Sequence, residues 1–295
     1  MSRAGRLSLA FFLALAAACS DERGAADHAA RAEDAPTRVI SLIPAATEMV
    51  LAMGAGDRLA ARTDYDRDTA VADLPSVGQG LTPSLEELMA LRPDLVIAWP
   101  DNASRSVIAR LRELDIAVYT PAIQTLEDIT ATIEGLGERL GLEDRADSLV
   151  ASMEAELERV RRAVAGRERP DVLYVVWYDP PTTAGPETFI SQLIELAGGR
   201  NVFADAPGLW PQVSIEEVVR RDPDILLVPR GEDSPIELDR LKSATGWRQL
   251  RAVRNDRVVP LDAKLFNRPG PSVTAAARRL AEILHPQAIP AGTGS

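Results

Sequence analysis

Two segments of the chain, 130 residues apart, carry the same pattern of a helix start, a Pro-Asp turn and an apolar strand. Residues 84–97 read Ser-Leu-Glu-Glu-Leu-Met-Ala-Leu-Arg-Pro-Asp-Leu-Val-Ile, and residues 214–227 read Ser-Ile-Glu-Glu-Val-Val-Arg-Arg-Asp-Pro-Asp-Ile-Leu-Leu. Five of the fourteen positions are identical, and six more exchange one apolar residue for another. Because solenoid repeats recur at periods of about 20–50 residues, this longer spacing predicts two lobes of similar build.

Short β-branched runs alternate with helical patterns throughout both halves of the chain. This alternation is typical of βαβ units and predicts mainly parallel sheets. A helix over residues 47–53 is expected to end at Gly54, since glycine commonly follows the last helical residue. The strand-like runs are residues 38–42, 95–98, 116–119 and 172–176.

The longest stretch without turn residues lies between the two halves. Its apolar residues recur at spacings of three and four, which predicts one long amphipathic helix over residues 142–168. This helix either joins the lobes rigidly or is the last helix of the first lobe. We expect an α/β fold of two similar α/β lobes joined by one long rigid helix. The predicted lobes cover residues 37–141 and 169–286, with a tail over 287–295.

The N-terminus predicts export. Two arginines precede an apolar run over residues 7–18, which is too short to span about 30 Å of hydrocarbon as a helix. Residues 1–18 therefore read as a lipoprotein signal peptide, because the run ends in small residues and Cys19, the only cysteine, as in a lipobox. The position three before the cysteine is Ala16 rather than the usual Leu, so an ordinary secretory signal is the alternative.

The predicted mature protein is tethered to a membrane outside the cytoplasm. Lipidation of Cys19 would supply the anchor, in a periplasmic or other extracytoplasmic location. Residues 19–36 are polar and lack apolar periodicity, which predicts a flexible tether.

Charge and histidine content exclude several classes of function. The 33 Lys and Arg stand against 44 Asp and Glu, for a net charge of −11, which disfavours nucleic-acid binding. The only histidines, His28 and His285, lie near the ends, so we expect neither a metal site nor a histidine base. No dinucleotide, phosphate-loop or nucleophile-elbow motif is present, so we expect no enzyme and no cofactor. An exported enzyme acting on a chelate and a lipoprotein scaffold are the alternatives from other classes.

Each repeat begins with a predicted capping box, in which a serine is followed three residues later by Glu87 or Glu217. This leaves Glu86 and Glu216 free to point outward at corresponding places on the two lobes. They either favour the helix N-terminus electrostatically or form a matched pair of docking points for a symmetric, basic partner.

Aromatic residues sit beside turn formers after the predicted strands. The loops beyond strand carboxyl ends line the ligand crevice in α/β sheets, and aromatic rings suit a flat, partly apolar ligand. We therefore predict a binding cleft, and we expect Trp247 to lie in the core instead. The residues in this setting are Tyr65, Trp99, Trp177, Tyr178, Trp210 and Phe266.

Several motifs resemble the helical-backbone substrate-binding proteins of ABC importers, which serve cobalamin, haem and iron–siderophores. These are Arg38-Val-Ile-Ser-Leu-Ile-Pro-Ala-Ala-Thr-Glu48, Pro83-Ser-Leu-Glu86 and Leu91-Arg-Pro-Asp-Leu-Val-Ile-Ala-Trp99. The segments Gly185 to Phe203 and Trp210-Pro-Gln-Val-Ser-Ile-Glu216 are similar to the cobalamin-binding branch.

The resemblance implies a monomer that performs no chemistry, with a corrinoid bound between the lobes and delivered to an ABC permease and its ATPase. It implies that Glu86 and Glu216 dock onto permease arginines. Ligand contacts are implied for Tyr65, Trp99, Trp210, Lys264, Leu265, Phe266, Asn267 and Arg268.

The chain departs from the cobalamin branch at four positions. Gly80, Thr182 and Leu265 stand where aromatic residues are common, and Lys264 stands where an acid is common. A smaller pocket, another corrinoid or another metal chelate is therefore an open alternative. A ferric-siderophore receptor is the runner-up, and haem would require a tyrosine such as Tyr65 or Tyr178 as its iron ligand.

Overall fold

Two sheets, one in each half of the chain, organise the molecule. The computed structural model describes residues 35–101, 104–231 and 236–287. In the first lobe, four strands are parallel in the order β2-β1-β3-β4. The strands are β1 Val39–Ser41, β2 Leu59–Ala61, β3 Leu95–Ile97 and β4 Ala117–Tyr119, and the helices are α1 Pro44–Ala52, α2 Leu85–Ala90, α3 Arg105–Glu113 and α4 Leu126–Leu140.

The long helix α5 (Glu143–Val164) leads into the second lobe. There the parallel strands follow the order β7-β5-β8-β9, and β6 pairs antiparallel with β5. The strands are β5 Asp171–Tyr178, β6 Pro181–Thr183, β7 Arg200–Asn201, β8 Ile225–Arg230 and β9 Val258–Asp262. The helices are α6 Phe189–Leu196, α7 Ile215–Arg221, α8 Leu238–Ser243, α9 Arg251–Arg254, α10 Ala263–Phe266 and α11 Val273–Leu284.

The predicted α/β fold with parallel sheets is confirmed. The predicted strands are present, and the first helix begins at Pro44 rather than at residue 47 because proline suits a first helical turn, where no N–H donor is needed. Helix α5 is shorter than the predicted 142–168 by a few residues at its end. The lobe boundaries remain predictions.

Helix α5 packs on both lobes. It contacts α4 of the first lobe and α6 and α11 of the second. Its buried stripe includes Met153, Val160 and Val164, as the spacing predicted. These side chains belong to one continuous apolar core that extends from β1 to α11. The helix therefore connects the lobes and also shares a core with each of them.

The two repeats fold alike down to a shared turn. Arg92 and Asp222 occupy equivalent positions before the Pro-Asp step, and both have left-handed backbone angles, with φ of 47° and 39°. The carboxylate of Asp94 accepts a hydrogen bond from the N–H of Arg38 at 2.9 Å, and that of Asp224 accepts one from the N–H of Asp171 at 2.8 Å. Each aspartate thus ties its repeat to the start of the central strand in its own sheet.

The predicted signal peptide, Cys19 and nearly all of the tether lie outside the described residues, as does almost all of the predicted tail. In the part of the chain that the structure describes, no helix has the length and apolar content needed to cross a membrane.

Candidate functional site

A cavity of about 440 Å³ lies between the lobes, where the carboxyl ends of strands from both sheets meet. This is the place where open α/β sheets bind ligands. The first lobe contributes Pro44, Ala45, Tyr65, Arg67, Gln79, Leu81 and Trp99. The second lobe contributes Val176, Pro229, Gly231, Ile236, Ala263, Lys264, Asn267, Arg268 and Pro269.

Tyr65 is presented by a tight turn after β2. The buried carboxylate of Asp66 accepts hydrogen bonds from the N–H and the hydroxyl of Thr63, at 2.7 and 2.8 Å. The Thr63 hydroxyl in turn accepts the N–H of Tyr65 at 3.2 Å. With its backbone fixed in this way, the Tyr65 side chain stands 42% exposed at the cavity.

The conformation of a second cavity loop in the first lobe, around residues 79–81, depends on Gly80. Its φ is +78°, and a Cβ there would lie 2.5 Å from the carbonyl oxygen of Leu42. Only glycine tolerates both conditions without a shift of the backbone. The close approach to the end of β1 places the flanking residues, Gln79 and Leu81, in the cavity wall.

Trp99 follows β3 and is half-buried in the cavity wall. Its carbonyl oxygen accepts a hydrogen bond from the Ser104 hydroxyl at 2.9 Å, while the N–H of Ser104 donates to Asp101 Oδ1 at 2.9 Å. These hydrogen bonds attach the loop after β3 to the start of α3, and they fix the backbone of Trp99 at the cavity.

The predicted ligand-contacting run around α10 divides into two faces. Lys264, Asn267 and Arg268 line the cavity, at the spacings of three and four residues that share one side of a helix. Leu265 packs against the apolar core instead, and Phe266 is only 1% exposed. Of the five consecutive residues predicted to contact the ligand, three therefore line this cavity, because a helical turn sends adjacent side chains in different directions; contact with a ligand stays a prediction for all five.

A second cavity of about 300 Å³ adjoins the first and shares Val176, Pro229 and Asn267 with it. It is lined in addition by Tyr174, Phe189, Trp210 and Phe266. Trp210 is thus separate from Tyr65 and Trp99, although it stands 46% exposed beside the same interlobe region.

Asn267 is held in the cavity wall by the buried Tyr174 of strand β5. The Tyr174 hydroxyl donates a hydrogen bond to Asn267 Oδ1 at 2.8 Å. Burial raises the pKa of Tyr174 well above its ordinary value, so the phenol stays protonated and remains a donor. The bond fixes the Asn267 side chain with its amide available to the cavity.

The charge of the cavity contrasts with that of the whole chain. Arg67, Lys264 and Arg268 line it, and none of the described lining residues is Asp or Glu. The guanidinium of Arg268 donates to the carbonyl oxygen of Tyr65, which joins the two lobes at the cavity. No group of three or more His, Cys, Asp or Glu among the described residues is placed to hold a metal ion. The arrangement suits an organic ligand with anionic or amide groups at its edge.

The aromatic residues outside the cavities have structural places. Trp177 and Tyr178 pack against the apolar cluster of the second lobe, and Trp247 is buried as predicted. Sequence reasoning missed Arg67, although it lies two residues from Tyr65 in the same loop, and missed Leu81, whose role depends on the backbone at Gly80.

Glu86 and Glu216 occupy equivalent positions in the first turns of α2 and α7, and both are exposed. Ser84 and Ser214 cap these helices by accepting the N–H of Glu87 and Glu217. The predicted reciprocal bond of a capping box is absent from both described helices. The Glu217 carboxylate instead accepts hydrogen bonds from Arg220 and Arg221 one turn later, because arginine is the stronger donor.

Comparison with known proteins gives matches over most of the chain. Residues 39–265 match the family described as periplasmic binding protein. A vitamin B12-binding protein of Vibrio parahaemolyticus is 33% identical over 237 residues, covering 79% of this chain and 84% of the relative. An uncharacterized ABC transporter substrate-binding lipoprotein of Bacillus subtilis, YvrC, is 30% identical over 259 residues, covering 85% and 81%.

A solved structure shares the fold. The periplasmic haem-binding protein RhuT from Roseiflexus sp. RS-1, in its apo form, superposes with a TM-score of 0.76 at 27% identity. The match covers 85% of this chain and 98% of that one.

Proposed function

The chain belongs to the periplasmic binding protein family, and we propose that it captures cobalamin or a related corrinoid between its lobes for an ABC importer. Members of this family are binding proteins of transporters, so the prediction that the chain is not an enzyme is confirmed. The family also implies a location outside the cytoplasm.

The interlobe cavity is the observation that carries the proposal. Among the described residues, four large hydrophobic side chains are notably exposed, and Tyr65, Leu81 and Trp210 of these border the two cavities. Clustered exposed apolar surface of this kind marks binding sites rather than general surface. The vitamin B12-binding relative, which covers most of the chain, supports a corrinoid as the ligand.

The side chains in the cavity match the chemistry of a corrinoid. A corrin ring has apolar faces, and Tyr65 and Trp99 offer rings to pack against them. Its edge carries amides, which the amide groups of Gln79 and Asn267 can both donate to and accept from. The phosphodiester of cobalamin suits the guanidinium of Arg268.

The chain lacks aromatic residues at three positions where the cobalamin branch often has them, and this weighs less against a corrinoid ligand than the sequence alone implied. Gly80, Thr182 and Leu265 are absent from the lining of both cavities. Gly80 serves the backbone of its loop, and Leu265 packs into the core. Lys264, in contrast, does line the cavity and replaces an acid of the branch with a cation.

A haem or ferric-siderophore ligand is the second candidate, and the position of Tyr65 favours it. Its exposed phenol stands at the cavity, and tyrosine is one of the protein ligands that haem iron accepts. Arg67 and Arg268 would then meet the carboxylates of such a ligand. The fold shared with the haem-binding protein of Roseiflexus agrees with this alternative.

We further propose that Glu86 and Glu216 contact the permease, that Cys19 carries a lipid anchor, and that the protein is a monomer. The equivalent, exposed positions of the two glutamates support the first of these. The relative named as a lipoprotein supports the second.

Titration of the purified protein with cyanocobalamin tests the proposal, followed by calorimetry and by the corrin absorbance. We expect saturable one-to-one binding with a Kd of about 1 μM or tighter, corresponding to about −8 kcal/mol. Tyr65→Ala should weaken binding, whereas Tyr119→Ala, which removes a ring outside both cavities, should not. Binding of haemin or a ferric hydroxamate, with none of cyanocobalamin, would move the ligand to the second candidate.

A further inference from the structure

A partly buried carboxylate joins the two lobes near the cavity. Glu48 lies on α1, one turn after Pro44 and Ala45 of the cavity wall. Its Oε1 accepts the N–H of Ser272 at 2.7 Å, and its Oε2 accepts the Ser272 hydroxyl at 3.2 Å. Since Ser272 directly precedes α11, this pair of bonds attaches the start of a second-lobe helix to a first-lobe helix.

The surroundings of Glu48 hold its carboxyl group in place and act on its charge in opposite directions. It lies at the N-terminus of the twelve-residue helix α11, where the helix dipole favours negative charge. Burial raises the pKa of Glu48, and the bonds from Ser272 together with the charge of Arg268 oppose that rise, while Asp68 adds to it. A Cβ on Gly270 would lie 3.1 Å from Glu48 Oε2 and 3.4 Å from the carbonyl oxygen of Ala45. The glycine therefore lets this segment lie directly against α1.

The same segment carries the second-lobe side of the cavity. Asn267 and Arg268 line the cavity and lie only a few residues before Ser272. Arg268 also donates to the carbonyl oxygen of Tyr65 in the first lobe. The run from Arg268 to Ser272 is thus attached to the first lobe at both ends.

Building on the proposed ligand site, we propose that Glu48 is a positioning residue for it. By holding Ser272, Glu48 sets where Asn267 and Arg268 stand relative to Tyr65 across the joint between the lobes. The affinity for the ligand then depends on a side chain that does not itself line the cavity.

Two substitutions of Glu48 separate geometry from charge, with cyanocobalamin as the probe. We expect Glu48→Ala to weaken binding about tenfold, equivalent to about 1.4 kcal/mol. Glu48→Gln should bind within about twofold of wild type, because its amide oxygen still accepts the Ser272 N–H. Val50→Ala is the matched control, since Val50 is buried on the same helix and the side-chain bonds to Ser272 come from Glu48 instead. Unchanged binding by Glu48→Ala, or an equal loss in Val50→Ala, would overturn the proposal.

A double-mutant cycle tests whether Glu48 acts through Arg268. In an Arg268→Gln background, Glu48→Ala should cost clearly less than tenfold, because one of the two side chains that it positions is already gone. A full tenfold loss in both backgrounds would show that Glu48 acts by another route.

Hydrogen exchange gives a readout that needs no ligand. In Glu48→Ala the amides between Asn267 and Val273 should exchange faster, while Glu48→Gln and Val50→Ala should leave them as in wild type. If wild type fails to bind cyanocobalamin and Glu48→Ala shows faster exchange confined to this segment, the corrinoid is refuted and the positioning role is upheld. Unchanged or uniformly faster exchange would refute the positioning role, whatever the ligand.

Discussion

We expect removal of the Tyr174 hydroxyl to lower the unfolding free energy of the protein only slightly and to lower the affinity of its cavity for ligand more. In Tyr174→Phe the ring remains, and the hydrogen bond of 2.8 Å to Asn267 Oδ1 is lost. The Tyr174 side chain is buried, whereas Asn267 is exposed in the cavity wall. The substitution therefore frees a ligand-facing side chain without opening a cavity in the core.

The two consequences differ in size. A buried hydrogen bond contributes about 0.5–1.5 kcal/mol to folding, and the loss should lie at the lower end because water can replace the phenol at the exposed Asn267. Binding must instead immobilise a side chain that wild type holds fixed in advance, at a cost of about 0.5–1.5 kcal/mol. We expect a loss of about 0.5 kcal/mol in unfolding free energy and a loss of about fivefold in affinity, since 1 kcal/mol corresponds to about that factor.

Urea denaturation and calorimetric titration with cyanocobalamin measure the two quantities. Tyr178→Phe is the control, because Tyr178 ends the same strand and lines neither cavity. It should change neither affinity nor stability by a comparable amount. If Tyr174→Phe loses stability while its affinity stays at the wild-type value, the orientation of Asn267 is irrelevant to the ligand and the reasoning is refuted.

Three other predictions test separate parts of the molecule. Reversal of Glu86 and Glu216 to Lys should abolish cobalamin uptake by cells and leave the affinity of the purified protein unchanged; wild-type uptake would remove them from the docking role. Because burial raises the pKa of Glu48, its contribution to stability is present below the ordinary pKa of about 4.3 and is lost as pH rises through the raised value. Glu48→Gln should therefore become more stable relative to wild type as pH rises over that range in urea titrations, and a constant difference would contradict this. Gly80→Ala should lower both thermal stability and affinity, because its Cβ would lie 2.5 Å from the Leu42 carbonyl oxygen at a φ of +78°; a melting temperature equal to that of wild type would show that the loop adapts freely.

Much of the fold could be predicted because its signals are local. The repeated Pro-Asp step appears in the sequence as a spacing, and the structure places Asp94 and Asp224 in matching roles at the two central strands. The stripe along α5 has a helical period, which one segment of sequence is enough to reveal. The family resemblance was also confirmed, and with it the prediction that the chain is a binding protein of a transporter rather than an enzyme.

The site was predicted less completely, because its details depend on contacts between distant segments. Tyr65 and Trp99 were expected at the cleft since both follow strands, and both line the cavity. The sequence alone did not separate Leu265 and Phe266 from their neighbours, since that division depends on a helical turn of only four residues. Nothing near Glu48 pointed to Ser272, which lies 224 residues later and meets it only in the folded lobes.

The segment that runs from α10 to α11 lies late in the chain, so the ribosome makes it after both sheets. Asn267, Arg268 and Pro269 are the last residues of the cavity wall to be made, and α11, which packs on α5 and is bonded to Glu48 through Ser272, is made later still. Partly synthesised chains therefore contain both sheets before they contain the complete cavity wall. If this cavity is the ligand site, we expect a chain that stops before residue 267 to compete poorly for ligand with intact molecules, although it already contains both sheets.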